Sequence, residues 1–313
     1  MSSNETFYNL KRLHLVFTVS SLALLAATLW MLAADHRREW KVYQRTFRDQ
    51  VQPSLTEADL REAEAANDTA AVETLRRTLN SQQPSLAKRL LRLPLIDAFG
   101  RPLTIRQIWL PDLTINYNFR QVARFDRCTT CHLGIDNTSP GSRGLPQPYC
   151  SHPRLDLFVG TGSPHPAGEF GCTICHAGQG SATAFKFASH TPNDPEERGR
   201  WQKQHGWFWN QAWDFPMKPS RFAESSCLRC HHDVVDLEPT RRFPDPPAPK
   251  LLAGYQLVRQ NGCFGCHEIK GIGESGERLG PDMRLEPNDL KAADDSSSGT
   301  MRKVGPSLRN LAG

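Results

Sequence analysis

Apolar material is scarce in this chain. Of 313 residues only 38% are hydrophobic and 9% aromatic, alongside 23 Pro and 22 Gly. Such a composition is a poor source for one large side-chain core and favours loops and short elements. An excess of one charge is also missing, since 38 Lys and Arg against 33 Asp and Glu leave a formal charge of +5. A surplus that small suits an ordinary solvated surface, and at most favours an acidic partner face or anionic lipid. No nucleic-acid partner is expected. Disulfide material is lacking too: only Cys150 stands outside close-spaced Cys pairs, so a disulfide framework is excluded. From Asp35 to Arg101 no chemistry-bearing pattern occurs at all.

What is present is one short pattern written four times. Cys128-Thr129-Thr130-Cys131-His132, Cys172-Thr173-Ile174-Cys175-His176, Cys227-Leu228-Arg229-Cys230-His231 and Cys263-Phe264-Gly265-Cys266-His267 each read Cys-x-x-Cys-His. The composition alone gives an expectation of about 0.01 such motifs. One copy could be half a zinc site or a redox dithiol. Four copies without partner Cys pairs between them point instead to c-type haem attachment. The two thiols add to the two vinyl groups of one haem, and the two-residue gap matches that span. The His that follows comes under the iron as proximal ligand. The expected haem thiols are Cys128, Cys131, Cys172, Cys175, Cys227, Cys230, Cys263 and Cys266. The expected proximal ligands are His132, His176, His231 and His267.

On these motifs the chain resembles the membrane-anchored multihaem (tetrahaem) c-type cytochromes. The resemblance implies four covalently bound haem c groups that fill the interior while loops and short helices wrap them. The expected fold is mainly α with extensive loops. Its parts are a cytoplasmic tail at 1–12, a transmembrane anchor at 13–34, a helical stalk at 35–100, a three-haem domain at 101–240, a Pro-rich linker at 241–250 and a monohaem domain at 251–313. The last part resembles the class I monohaem cytochrome c fold: an amphipathic helix from Leu251 to Gly262 runs into the fourth motif, and Gly305-Pro306-Ser307-Leu308 follows. That fold implies a further helix, a Met-bearing loop and a C-terminal helix after this segment. The sequence ends at Gly313, so the domain is expected to be incomplete and its sixth iron ligand open. Met283 and Met301 do not stand where the family has its Met. Leu285 to Thr300 reads as an acidic, Ser-rich mobile insertion.

Leu13 to Ala34 carries no formal charge and is long enough to cross a bilayer as one helix. Trp30 sits at an interfacial position. A cleaved signal peptide is the rival, but the small residue wanted three positions before cleavage is Met31 or Leu32, and the apolar run is long for a signal core. An uncleaved anchor is expected. Arg37, Arg38, Lys41, Arg45 and Arg48 follow the span and outnumber Lys11 and Arg12 before it. A positive-inside count would therefore leave the bulk of the chain in the cytoplasm. The resemblance implies the opposite, because c-type haem is attached outside. The expected location is the inner membrane, single-pass, with the haem domains in the periplasm.

In the stalk, a helix from Asp35 to Gln50 is expected to stop at Pro53. Thr56-Glu57-Ala58-Asp59 resembles a capping box opening a second helix. Val72, Leu75 and Leu79 recur at helical spacing, as do Leu86, Leu90, Leu91 and Leu95 in a third segment. The stalk is expected to pack on a partner subunit. Arg101 to Arg127 mixes short apolar runs with Pro and Asn, and Leu133 to Phe170 reads as loop. Glu196 to Gln204 reads as a solvated helical face. Trp201, Trp207, Trp209 and Trp213 cluster between the second and third motifs, where haem packing and ordinary core packing are equally open.

Seven His remain outside the motifs. His14 lies in the span and His36 at its edge, and both are excluded as ligands. His152, His165 and His190 stand in Pro-flanked loops and are expected distal ligands, weighed against other uses of imidazole. His232 follows a proximal His and can reach only a neighbouring haem, as Cys-x-x-Cys-His-His implies in compact multihaem cytochromes. His205 is a weaker choice, and Met217 would raise the potential of a haem it bound.

The expected function is electron relay. Electrons would come from a quinol-oxidising cytochrome b-type complex and leave to a soluble cytochrome or terminal reductase, with the hinged terminal haem domain as the delivery end. The chain would then have no active site of its own. A multihaem enzyme reducing a small nitrogen oxide or peroxide is the alternative; it needs an open iron and acid/base groups above it, and no such constellation is visible. A structural subunit of a larger respiratory complex is a third reading.

Overall fold

The computed structural model describes residues 9–267 apart from 95, 101–102, 118, 211–214 and 232–233. Over these residues the chain is mainly helical with few strands. It divides into two compact units. Unit 1 takes the chain to Gly171 and again Gly180–Ala188; unit 2 takes Cys172–Gln179 and the chain from Ser189 on.

Unit 1 begins with α1 (Leu10–His36), capped by Asn9, whose side chain accepts from the Arg12 N–H at 3.2 Å. α1 is long and apolar enough to cross a membrane, and none of its residues is buried by the protein. α2 (Glu39–Thr46) follows, then a π-helical turn at Phe47–Val51, then α3 (Gln52–Ala65). Pro53 therefore does not end the helical run. The Gln52 N–H reaches back to the Phe47 carbonyl, and that widened turn lets Pro53, which has no N–H to give, occupy the first turn of α3. Thr56 is no cap either. It lies inside α3, with its hydroxyl donating to the Gln52 carbonyl at 2.9 Å. The capped start comes later, at α4 (Thr69–Gln82), where the Asp68 carboxylate accepts from the Ala71 N–H at 3.0 Å.

α3 and α4 pair as a hairpin, tied by Arg76 to Glu64 at 2.8 Å and by Gln82 to Thr56 at 3.0 Å. α5 (Leu86–Leu90) and α6 (Ile96–Gly100) are short. The stretch before the first motif folds as an antiparallel hairpin of β1 (Ile108–Tyr117) and β2 (Arg120–Asp126), running from Ile108 opposite Asp126 to Tyr117 opposite Arg120. Its register shifts between Leu110 and Thr114, where Pro111 cannot donate to a ladder.

The buried apolar cluster of unit 1 is Val51, Leu55 and Tyr149, flanked by Tyr43, Phe47 and Leu145. It joins the π turn and α3 to the loop after the first motif. Two close approaches in unit 1 require glycine. A Cβ on Gly134 would stand 2.0 Å from the Tyr149 carbonyl oxygen. Gly171 has a φ of +65°, and a Cβ there would meet Asp126 Oδ2 and Leu110 Cδ1 at 2.5 Å. Between 133 and 170 the chain is loop with brief regular pieces: a 3-10 turn at Pro140–Gly144, a two-residue parallel pair of β3 (Phe158–Val159) and β4 (His165–Pro166), and α7 (Ala167–Phe170), which packs on β1.

Unit 2 holds α8 (Thr173–His176), α9 (Pro195–His205), a 3-10 run at Ser220–Arg229 and α10 (Pro249–Gln260). α9 is the solvated helix expected from its charges. Asp194 caps it by accepting from the Glu197 N–H at 2.8 Å, and Gly206 ends it in the left-handed region. The Pro-rich run leads into α10, whose first N–H groups donate to Glu224 from Lys250 at 2.7 Å and Leu251 at 3.0 Å. That carboxylate from the 3-10 run caps α10 in place of a local side chain.

Candidate functional site

All four Cys-x-x-Cys-His segments adopt one turn. In the first, the Cys128 carbonyl accepts from the N–H of Cys131 at 3.1 Å and of His132 at 2.9 Å. The Cys172 carbonyl accepts from Cys175 at 3.2 Å and His176 at 3.0 Å. The Cys227 carbonyl accepts from Cys230 at 3.2 Å and His231 at 2.8 Å, and the Cys263 carbonyl from Cys266 at 3.2 Å and His267 at 3.0 Å. One helical turn so closed brings positions i, i+3 and i+4 to the same side. Two thiols and one imidazole thus share a face, four times over. No disulfide joins any of the nine cysteines.

Three of these thiols are held in the protonated form by burial. Burial pushes Cys131 up to about 12 and Cys227 up to about 11, and it raises Cys175 as well. Among the described residues, no three or more His, Cys, Asp and Glu side chains gather where they could hold a metal ion. The donor set fits covalent haem, which asks for two thiols and one axial imidazole per turn.

Hydrogen bonds to distant parts of the chain pin the first three turns. Gln44 on α2 is buried; its side-chain amide donates to the carbonyls of Thr104 at 2.6 Å and Thr130 at 3.1 Å, and its oxygen accepts from the Thr104 N–H at 3.2 Å. Thr130 is fully buried, and its hydroxyl donates to the Arg106 carbonyl and accepts from the Arg106 N–H, each at 3.0 Å. In unit 2 the second and third turns are joined directly. The Ser226 hydroxyl donates to the Cys175 carbonyl, the Arg229 guanidinium to the Ile174 carbonyl at 3.0 Å, and the Lys218 N–H to the His176 carbonyl at 2.8 Å. Burial, then the nearby Arg229 charge, lower the Lys218 ammonium below its ordinary value. None of these pins carries a sequence signal, because each joins groups far apart along the chain.

The expected distal ligands fall in different places. His152 and His165 both lie in unit 1, each 5.3 Å in ring centroid from Phe158, and His165 stands 5.1 Å from Phe170. Their tautomers differ. His165 Nδ1 lies 3.2 Å from the Leu157 carbonyl, which can only accept, so Nδ1 carries the proton. His152 Nδ1 accepts from the Arg154 N–H at 3.2 Å, so its proton sits on Nε2. His190 lies in unit 2 against Trp201 at 6.1 Å, and the Trp207 indole N–H donates to the His190 carbonyl at 2.7 Å. Trp207 is buried while Phe208 and Trp209 are exposed. His205 ends α9, and Met217 is held by its N–H to the Ser189 carbonyl at 2.9 Å. His232, Trp213, Met283, Met301, Gly305-Pro306-Ser307-Leu308 and the acidic insertion lie outside the described residues.

His36, set aside as a ligand by its position at the edge of the span, is engaged elsewhere. Its Nδ1 lies 3.0 Å from Asp97 Oδ2, and Lys41 bridges Asp97 at 3.3 Å and Asp35 at 2.5 Å. This cluster fastens α6 to the end of α1. Comparison with known protein families, curated proteins and solved structures finds no match to the chain.

Proposed function

We propose that the chain is a membrane-anchored tetrahaem cytochrome c that relays electrons on the periplasmic side of the inner membrane. The observation that carries this reading is the fourfold recurrence of one hydrogen-bonded Cys-x-x-Cys-His turn. Cys128 with Cys131, Cys172 with Cys175, Cys227 with Cys230 and Cys263 with Cys266 would each form two thioethers to one haem. His132, His176, His231 and His267 would be the proximal ligands. Bound haem supplies one-electron exchange between ferric and ferrous iron. The pins described above hold the backbone of the first three turns in place, and the direct link between the second and third turns supports passage of electrons between those two haems.

On the distal side, His165 has the arrangement of an Nε2 metal ligand: Nδ1–H donates to a backbone carbonyl and the lone pair is left on Nε2. That favours His165 over His152 in unit 1. His190, positioned by Trp207, is the matching residue of unit 2, and His232 remains a ligand in this proposal. The donor would be a quinol-oxidising cytochrome b-type complex and the acceptor a soluble cytochrome or terminal reductase.

Intact mass spectrometry of the membrane-purified protein, with the pyridine haemochrome spectrum, tests the reading directly. Four haems per chain are expected, and their absence would overturn it. Low-temperature EPR of the oxidised protein then separates relay from enzyme. Low-spin signals throughout support the relay, while a high-spin iron persisting in the full-length native chain would favour a reductase with an open haem.

A further inference from the structure

We propose that residues 86–99 lie in the headgroup layer of the outer leaflet and bind anionic lipid, so that the chain holds its membrane through a second, monotopic contact beside α1. The segment reads Leu-Ala-Lys-Arg-Leu-Leu-Arg-Leu-Pro-Leu-Ile-Asp-Ala-Phe. Six of its described apolar side chains are exposed: Leu86 at 79%, Phe99 at 80%, and Leu90, Leu91, Leu93 and Ile96 between them. A soluble surface rarely carries so dense an apolar run without a use for it.

The occupant follows from where the segment is tied. Asp97 is buried and accepts from His36, the last residue of α1, and from Lys41 just beyond it. A second tie holds the middle: Arg92 meets both carboxylate oxygens of Asp49 in the π turn, at 2.6 and 2.7 Å. α1 has 27 residues. That makes it about 40 Å long, more than the ~30 Å of a hydrocarbon core, so its end emerges at headgroup level. The apolar segment is fixed at that same level. Arg37 and Arg38 at the end of α1 and Arg89 in the segment are exposed there, as an anionic surface requires. Arg37 and Arg38 then belong to the lipid contact, which accounts for two of the cations that stand on the side a positive-inside count would leave bare.

The inference rests on α1 crossing the bilayer, and the experiment keeps the two apart. The full-length protein is placed in nanodiscs containing phosphatidylglycerol with a diazirine near the glycerol, irradiated, and mapped by peptide mass spectrometry. Lipid adducts on both α1 and 86–99 are expected, and Leu90→Glu with Phe99→Glu should lower the 86–99 adducts about tenfold while leaving those on α1. Adducts on α1 alone would overturn the inference and leave the anchor standing. Adducts on neither would remove the anchor, and the inference with it. Adducts on 86–99 that vanish when the native complex is purified and reconstituted intact would show a protein partner there, and would overturn the lipid assignment.

Discussion

The Arg229 guanidinium donates to the Ile174 backbone carbonyl at 3.0 Å, from the interior of one Cys-x-x-Cys-His turn to the interior of another. Ser226, one residue before the third motif, makes the companion bond to the Cys175 carbonyl and is buried. Arg229 is exposed, so water competes for its bond, whereas loss of the Ser226 hydroxyl leaves a carbonyl without its donor. We therefore expect Ser226→Ala to lower stability by about 1 kcal/mol. Urea denaturation of the holoprotein should show a lower midpoint at unchanged slope, with Arg229→Ala showing a smaller effect. Equal effects would mean that the two bonds do not divide by burial.

The first turn depends on a different constraint. Gly134, two residues after His132, packs against the Tyr149 carbonyl so closely that any side chain must displace backbone. Gly134→Ala is expected to cost about 1–3 kcal/mol through overpacking. Leu55→Ala, which empties part of the cluster that Tyr149 completes, is expected to cost about 2–5 kcal/mol. Thermal unfolding monitored by far-UV circular dichroism reads both, and the double variant should cost less than the sum because the two changes act on one cluster.

Much of the local structure was legible because it is set by neighbours in sequence. A Cys-x-x-Cys-His segment needs only one turn, and a charge-free run from Leu13 to Ala34 needs only its own length. Val72, Leu75 and Leu79 mark α4 by spacing alone. The stalk's breaks were misread where a local signal met a longer-range one. Pro53 is a stop signal, but a π turn just before it absorbs the missing donor. Thr56 looks like a cap until Asp68 supplies the real one at α4. The β1–β2 hairpin was hidden because Pro111 and the register shift interrupt the alternation that would have revealed it. The pins from Gln44, Thr130 and Ser226 carry no local signal, since they pair residues separated by 86, 24 and 51 positions.

The two candidate distal histidines of unit 1 make opposite predictions. His165 carries its proton on Nδ1 and His152 on Nε2. A ligand bound through Nε2 must have the first arrangement. His165→Ala is expected to convert one low-spin haem signal to high spin in the EPR spectrum, while His152→Ala leaves the spectrum unchanged. In unit 2, His190→Ala should convert a different signal. Trp207→Phe should keep that haem low-spin but shift its g-values, because the indole positions His190 through the backbone and does not touch iron. The reverse pattern in unit 1 would assign the ligand to His152.

Alkaline pH should weaken unit 1 through two phenols. Burial raises the pKa of Tyr43 well above its ordinary 10.0, helped by the Glu39 charge and by the hydrogen bond to Glu39 at 3.0 Å. Burial likewise raises Tyr149, although its hydrogen bond with Thr46 pulls the other way. Both groups hold their protons more tightly folded than unfolded. Their contribution is therefore constant below the unfolded value of 10.0, and it is lost as pH rises beyond it toward the folded values. Over that alkaline range the unfolded chain releases a proton from each phenol that the folded chain retains, so stability falls with a slope of up to one proton per phenol. Urea midpoints measured across the range should fall more steeply in the wild type than in Tyr43→Phe, which keeps the ring but has no proton to lose. Tyr149→Phe should flatten the curve less, since its two influences partly oppose. Parallel curves for all three proteins would assign the alkaline loss to other groups, and the Tyr43–Glu39 contact would then carry no pH-dependent stability.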